Sequence, residues 1–127
     1  MQEERRTRVY ELLAHDKSIY LQISEMIETD IMRGILEEES RVPSTNELAK
    51  LYAINPATAA KGVNILVDEQ IIYKKRGIGM FVSPGAKDRI LQKRRSMFYE
   101  NYVKGLVVEA ESLGISKEEL INMIQES

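Results

Sequence analysis

The sequence predicts a mainly α-helical fold carrying one small β-hairpin, and three observations predict it. Two short helices, each opened by its own capping signal, are separated by only two residues. Two β-rich runs joined by a Gly-containing turn follow directly. The final third of the chain keeps helical spacing almost throughout. With 127 residues the chain suits a single globular domain with an appendage.

In chain order, residues 1–16 are charged around a small apolar group, Val9, Tyr10, Leu12 and Leu13, and read as a short, loosely held helix. Residues 19–33 form a firmer helix. Ile23, Met26, Ile27 and Ile31 repeat at three and four residues, giving one apolar face, and Gly34 is placed to end it. Glu37-Glu38-Glu39-Ser40-Arg41 reads as a polar loop.

The next helix opens at Ser44-Thr45-Asn46-Glu47. The Ser44 hydroxyl can accept from the Glu47 amide while the Glu47 carboxylate reaches back, which makes a capping box. This helix is expected to run to about Tyr52 with Leu48, Ala49 and Leu51 facing inward. Asn55-Pro56 opens the following one, because Asn caps well and Pro at the first helical position loses no hydrogen bond. It continues to about Glu69. Two short helices joined tightly at Ala53-Ile54 describe a helix-turn-helix.

Ile71 to Lys75 is the first β run, Arg76-Gly77-Ile78-Gly79 the turn, and Met80 to Ser83 the second run. Lys74, Lys75 and Arg76 are expected at the hairpin tip. A hairpin directly after the second helix is a wing, so residues 1–83 read as a winged helix-turn-helix domain, with 1–16 as an N-terminal extension. Pro84-Gly85 opens a two-helix tail over 84–127. Residues 86–113 read as one long helix with Leu91, Phe98, Tyr102, Leu106, Ala110 and Leu113 on one stripe, stopped by Gly114. Ser116-Lys117-Glu118-Glu119 is a second capping box, and Leu120, Ile121 and Ile124 give the last helix its apolar side. A tail this small buries its own stripe poorly. Homodimerisation through residues 86–126 is the favoured solution; folding back onto the first domain is the alternative.

Composition excludes several function classes. The chain has no Cys and a single His, His15, so disulfides, thiol nucleophiles, thiolate metal sites and His clusters are all ruled out. No Gly-rich phosphate loop, nucleophile elbow or carboxylate pair stands out, so neither an enzyme nor a cofactor is expected. No apolar stretch is long enough to span a bilayer, and the charged start MQEERRTRVYELL lacks the core of a signal peptide. A cytoplasmic location away from the membrane is the expectation.

The net charge of −2 hides a division. Residues 41–95 hold 11 Lys/Arg against 4 Asp/Glu, a local +7, and the remainder holds 7 against 16. A basic segment in an acidic chain points to an anionic partner, first of all nucleic acid. The helix from Pro56 is then expected in the major groove of double-stranded DNA. Its first amides and Thr58 would hold a phosphate, and Asn55 and Lys61 would make polar contacts. Ala57, Ala59 and Ala60 would touch thymine methyls or permit close approach. Ser44, Thr45 and Asn46 would meet the backbone, while Lys74, Lys75, Arg76 and the Gly77 backbone would meet the minor groove. The competing reading from another class is a protein-interaction module that docks through the winged helix or the tail. Between them lies ligand sensing, with Met97, Tyr99 and Tyr102 lining a small cavity at the dimer interface, although simple core packing is the favoured role for these residues.

Four segments carry a family resemblance: Ile19-Tyr20-Leu21-Gln22-Ile23, Val42-Pro43-Ser44-Thr45-Asn46-Glu47-Leu48-Ala49, Asn55-Pro56-Ala57-Thr58 and Arg76-Gly77-Ile78-Gly79-Met80-Phe81-Val82. In this order and spacing, Ile19 to Val82 resembles the N-terminal domain of GntR-type transcriptional regulators. Only 44 residues follow Ser83, and a tail of that size is similar to the YtrA-type branch. The resemblance implies a dimeric repressor on a palindromic operator, often beside transporter genes, with a small-molecule effector of unknown identity. The chain departs from the family pattern at Asn46, where Arg is usual, at Gly62, where Ala is usual, and in the acidic loop at 37–40.

Overall fold

The computed structural model describes residues 18–127. The helix expected over 1–16, with His15, lies outside them. The described chain divides into two compact units, one ending at Ile90 and one covering Leu91–Ser127.

In the first unit, α1 (Ile19–Met32) buries Ile23, Ile27 and Ile31 at a strict spacing of four. Isoleucine is a middling helix former, but burying each such side chain contributes about 1.5–3 kcal/mol, several times the propensity it forfeits. Packing, not propensity, holds α1. Gly34, at φ +78°, ends it: the Gly34 amide donates to Ile31 O and the Ile35 amide to Asp30 O, which uses carbonyls the helix would leave open.

The short strand β1 (Arg41–Val42) precedes α2 (Thr45–Tyr52), and α3 (Pro56–Asp68) follows a left-handed Ala53 at φ +52°. α2 turns Leu48, Ala49 and Tyr52 to the core. Leu51, expected inside, is 37% exposed and Tyr52 takes that place, because 48, 49 and 52 lie on one side of a helix and 51 falls off it. α3 buries Ala59, Gly62, Val63 and Leu66.

The wing is β2 (Ile72–Lys75) antiparallel to β3 (Gly79–Val82), with Ile72 opposite Val82 and Lys75 opposite Gly79. The expected two-stranded hairpin is in fact a three-stranded sheet in the order β1-β3-β2. Arg41 pairs with Phe81 and Val42 with Met80, so the polar loop ends in a strand at Arg41. Two further bonds, Glu39 N to Val82 O at 2.8 Å and Val82 N to Ser40 O at 3.0 Å, extend that seam. Val42, Ile71, Ile72 and Val82 join the same core as the helices, and so do Ala86 and Ile90 at the start of α4 (Ala86–Ser96).

The second unit corrects the expected single helix over 86–113. After α4 the chain turns at Met97, and a π-helical segment, Tyr99–Val103, leads into α5 (Lys104–Ser112). The Lys104 amide donates to Tyr99 O, five residues back. The stripe Phe98, Tyr102, Leu106, Ala110 advances by fours, and at 3.6 residues per turn each such step drifts by about 40°. A wider turn absorbs that drift. Phe98 and Tyr102 accordingly stack, with ring centroids 5.4 Å apart. Gly114, at φ +71°, closes α5, and α6 (Lys117–Glu126) begins at Ser116, whose Oγ accepts from Glu119 N at 3.1 Å. The second capping box is only half made: the carboxylate meets the Ser116 hydroxyl at 3.5 Å instead of the backbone amide.

Candidate nucleic-acid interface

The site begins with two helix N-termini. At α2, Glu47 N donates to Ser44 Oγ at 3.1 Å and Ser44 N to Glu47 Oε1 at 3.4 Å, completing the expected box. Thr45 is half-buried and Asn46 exposed. At α3, Asn55 Oδ1 accepts from Ala57 N at 2.8 Å, with Pro56 in the first turn. Capping therefore fixes where both helices start, and each start turns backbone N–H dipoles outward, a setting that favours phosphate.

Hydrogen bonds from the Ser44 side chain and backbone, helped by Arg41 at 3.5 Å, hold the Glu47 carboxyl below its ordinary value of 4.5. A depressed carboxylate stabilises the fold above its unfolded value, and that contribution disappears as pH falls through the lower folded value. Glu47→Gln is therefore expected to be less thermostable than wild type at neutral pH. The gap should close as pH is taken below 4.5. Parallel thermal melts across pH check this, and a gap independent of pH would refute the charge-based account.

Along α3 the exposed positions Ala57, Lys61 and Asn64 fall at spacings of four and three, forming one outward face. Thr58 is half-buried, and Ala59 is fully buried. The expectation that Ala59 touches thymine methyls is therefore overturned: its methyl packs inside against the core. Lys61 Nζ sits 4.1 Å from the Tyr20 ring centroid. Such a contact at an exposed site is worth about 0.5–1 kcal/mol, less than the roughly 1.5–3 kcal/mol of a hydrogen bond to a charged group. Lys61 can therefore leave Tyr20 for a phosphate.

The wing differs from the expected cluster of three tip cations. Lys74 and Lys75 are strand residues on opposite faces, and only Arg76 lies in the turn with Gly77. Lys74 Nζ donates to Asn64 Oδ1 at 3.3 Å, tying wing to helix. Lys75 Nζ stands 4.7 Å from the Phe81 ring centroid. Gly77, at φ +77°, needs its lack of a side chain for the turn, and the Ile78 amide closes it onto Lys75 O at 2.9 Å. Behind the wing, Tyr73 OH donates to Glu39 Oε2 at 2.5 Å, and this bond raises the Tyr73 pKa above its ordinary value. Arg41 crosses Gly79 so closely that its Nε would lie 3.1 Å from any Cβ there. Sequence reasoning missed Asn64 and Arg41. Asn64 had a signal, its spacing from Ala57 and Lys61; Arg41 had none, because β1 is only two residues long.

Among the described residues no group of three or more His, Cys, Asp or Glu could hold a metal, and no helix is long and apolar enough to cross a membrane.

A helix-turn-helix with capped, outward-facing N-termini and a cation-bearing wing tied to its second helix defines a winged-helix DNA-binding protein. Residues 19–82 match the sequence profile of the family described as bacterial regulatory proteins, gntR family. The HTH-type transcriptional repressor YtrA of Bacillus subtilis is 32% identical over 108 residues, 85% of this chain and 82% of that protein. A GntR-family transcriptional regulator structure from Bacteroides thetaiotaomicron superposes with a TM-score of 0.68 at 39% identity, covering 86% of this chain and 95% of that one. YtrA from Sulfolobus acidocaldarius, a GntR-family transcription factor, gives 0.54 at 28% identity with 90% of each chain covered. The chain belongs to the gntR family and is a DNA-binding transcriptional regulator rather than an enzyme.

Proposed function

We propose that the protein is a homodimeric repressor that binds a palindromic operator, each copy placing α3 in the major groove and its wing in the adjacent minor groove. The observation that carries this is the exposed α3 face of Ala57, Lys61 and Asn64, tied to the wing by the bond from Lys74 to Asn64. Asn55, Pro56, Ala57, Thr58 and Lys61 meet the major groove and its phosphates. Ser44, Thr45 and Asn46 meet the backbone beside it, and Lys74, Lys75, Arg76 and Gly77 meet the strand and minor groove under the wing. The winged helix-turn-helix domain is assigned to 1–83 and the dimerisation tail to 84–127, with Ala86 and Ile90 at the root of the tail completing the core of the first unit. Two-fold operators require two copies, and the exposed apolar side chains of that tail supply a pairing surface. Repression follows the role of the Bacillus subtilis repressor that the chain is similar to. We place the protein in the cytoplasm and its operator beside transporter genes, with a small ligand as modulator.

Selection from randomised duplexes, followed by anisotropy titrations at several salt concentrations, tests the reading. A two-fold symmetric site bound ~10³-fold or more above random DNA is expected. Equal, weak binding to every duplex would overturn sequence-specific recognition and favour a docking module. Within that assay, Lys75→Ala with Arg76→Ala should weaken binding and flatten the salt dependence by about one unit per lost phosphate contact. Unchanged affinity and slope would remove the wing from the interface.

A further inference from the structure

We propose that Asn64 and Lys74 form a donor pair that reads a guanine in each half-site of the bound DNA. This rests on α3 being the major-groove helix, and it moves Lys74 from the minor-groove side of the wing to the α3 side, where its bond to Asn64 holds it. Asn64 lies two turns beyond Ala57 on the same outward face, a rise of about 11 Å. The major groove is about 12 Å wide, so that face keeps Asn64 within reach of base edges.

Lys74 Nζ stands 3.3 Å from Asn64 Oδ1. An ammonium carries three donors and no acceptor, so the amide can meet it only with its oxygen. The pair therefore offers two neighbouring donor groups, Asn64 Nδ2 and the remaining N–H bonds of Lys74. An uncommitted asparagine reads adenine by pairing one donor with N7 and one acceptor with N6. With the Lys74 ammonium beside Oδ1, the N6 donors of adenine would face further N–H bonds, and that match is weakened. Guanine presents O6 and N7, both acceptors, and suits two neighbouring donors. A lysine from β2 thus sets which base an amide on α3 selects.

The test is site selection by full-length wild type, Asn64→Ala and Lys74→Met, then anisotropy on duplexes carrying G or A at the assigned position. Wild type should prefer guanine there by about tenfold or more. Asn64→Ala should flatten that preference and leave the rest of the site intact. Lys74→Met keeps the stem, loses the ammonium and frees Oδ1, so its preference should move from guanine to adenine. Selection of adenine by wild type, or an unchanged base with Lys74→Met, overturns the proposal. Uniform weakening on all sequences by either variant assigns the pair to a phosphate and overturns it as well. If wild type selects no site, the major-groove reading of α3 fails and the guanine assignment falls with it.

Discussion

Replacing Gly62 with alanine is expected to lower the melting temperature by about 10 °C. Helix propensity alone gives the opposite sign, since alanine in a helix interior is better than glycine by up to ~1 kcal/mol. At Gly62, however, a Cβ would lie 2.6 Å from the backbone oxygen of Tyr20 and 3.2 Å from two carbons of Ile23. A backbone carbonyl cannot swing away as a side chain can, so α1 and α3 must separate. Overpacking of this kind costs roughly 3 kcal/mol at its upper range. The net loss of about 2 kcal/mol converts to a shift of this size for a small domain. Ser24 Oγ, bonded to Gly62 O at 2.5 Å, would lose its alignment in the same movement. Gly105, inside α5, is the control: a Cβ there meets nothing within 4 Å, so Gly105→Ala should raise stability by up to ~1 kcal/mol. Calorimetry on both variants decides it. An unchanged or raised melting temperature for Gly62→Ala would refute the close contact between α1 and α3.

Tyr102→Glu combined with Leu106→Glu is expected to abolish the proposed pairing of two copies and to weaken binding to the proposed two-fold operator by 10²–10⁴. Within the second unit, Ala110 alone among the hydrophobic residues is buried, while Tyr102 is 66% and Leu106 45% exposed. Side chains of this size gain about 1.5–3 kcal/mol each when fully buried, and a second copy offers a matching stripe. Carboxylates at both positions would bring four unpaired charges into a paired stripe, which the burial gained cannot offset. The loss on DNA is one of linkage: two half-site contacts held in one particle become independent. Binding to a duplex with one half-site should stay unchanged, because neither substituted position belongs to α3 or the wing. Sedimentation velocity and anisotropy on full and half operators read both effects. A double variant that sediments as a dimer would refute pairing through this stripe.

The helix starts were legible because their chemistry is local. Ser44 with Glu47, and Asn55 with Ala57, close hydrogen bonds over two or three residues, so residue type and spacing suffice to find them. The wing was legible for a similar reason, as two β runs joined by a short turn with Gly77 at positive φ. β1 was not. Two residues cannot display an alternation, and Arg41–Val42 is a strand only because β3 lies beside it. The π-helical segment left a faint trace in the fourfold spacing of Phe98, Tyr102, Leu106 and Ala110, which a regular α-helix cannot keep on one stripe.

The candidate interface divides in the same way. Charge segregation and capping residues marked the α2 start, the α3 start and the wing from the sequence, and the family to which the chain belongs was recognisable in those segments. What each side chain does there depended on partners far away in the chain. Ala59 faces the core, Lys61 rests on Tyr20, and Tyr73 reaches Glu39 across 34 positions. Ser24 meets Gly62 across 38 positions. By itself the sequence determined where the helices and strands of the wing begin, because those choices are settled by bonds between near neighbours. Only the tertiary structure decided that Gly62 must lack a side chain and that Lys74 commits the amide of Asn64. Those outcomes depend on atoms that folding brings within 4 Å of each other and that no local spacing records.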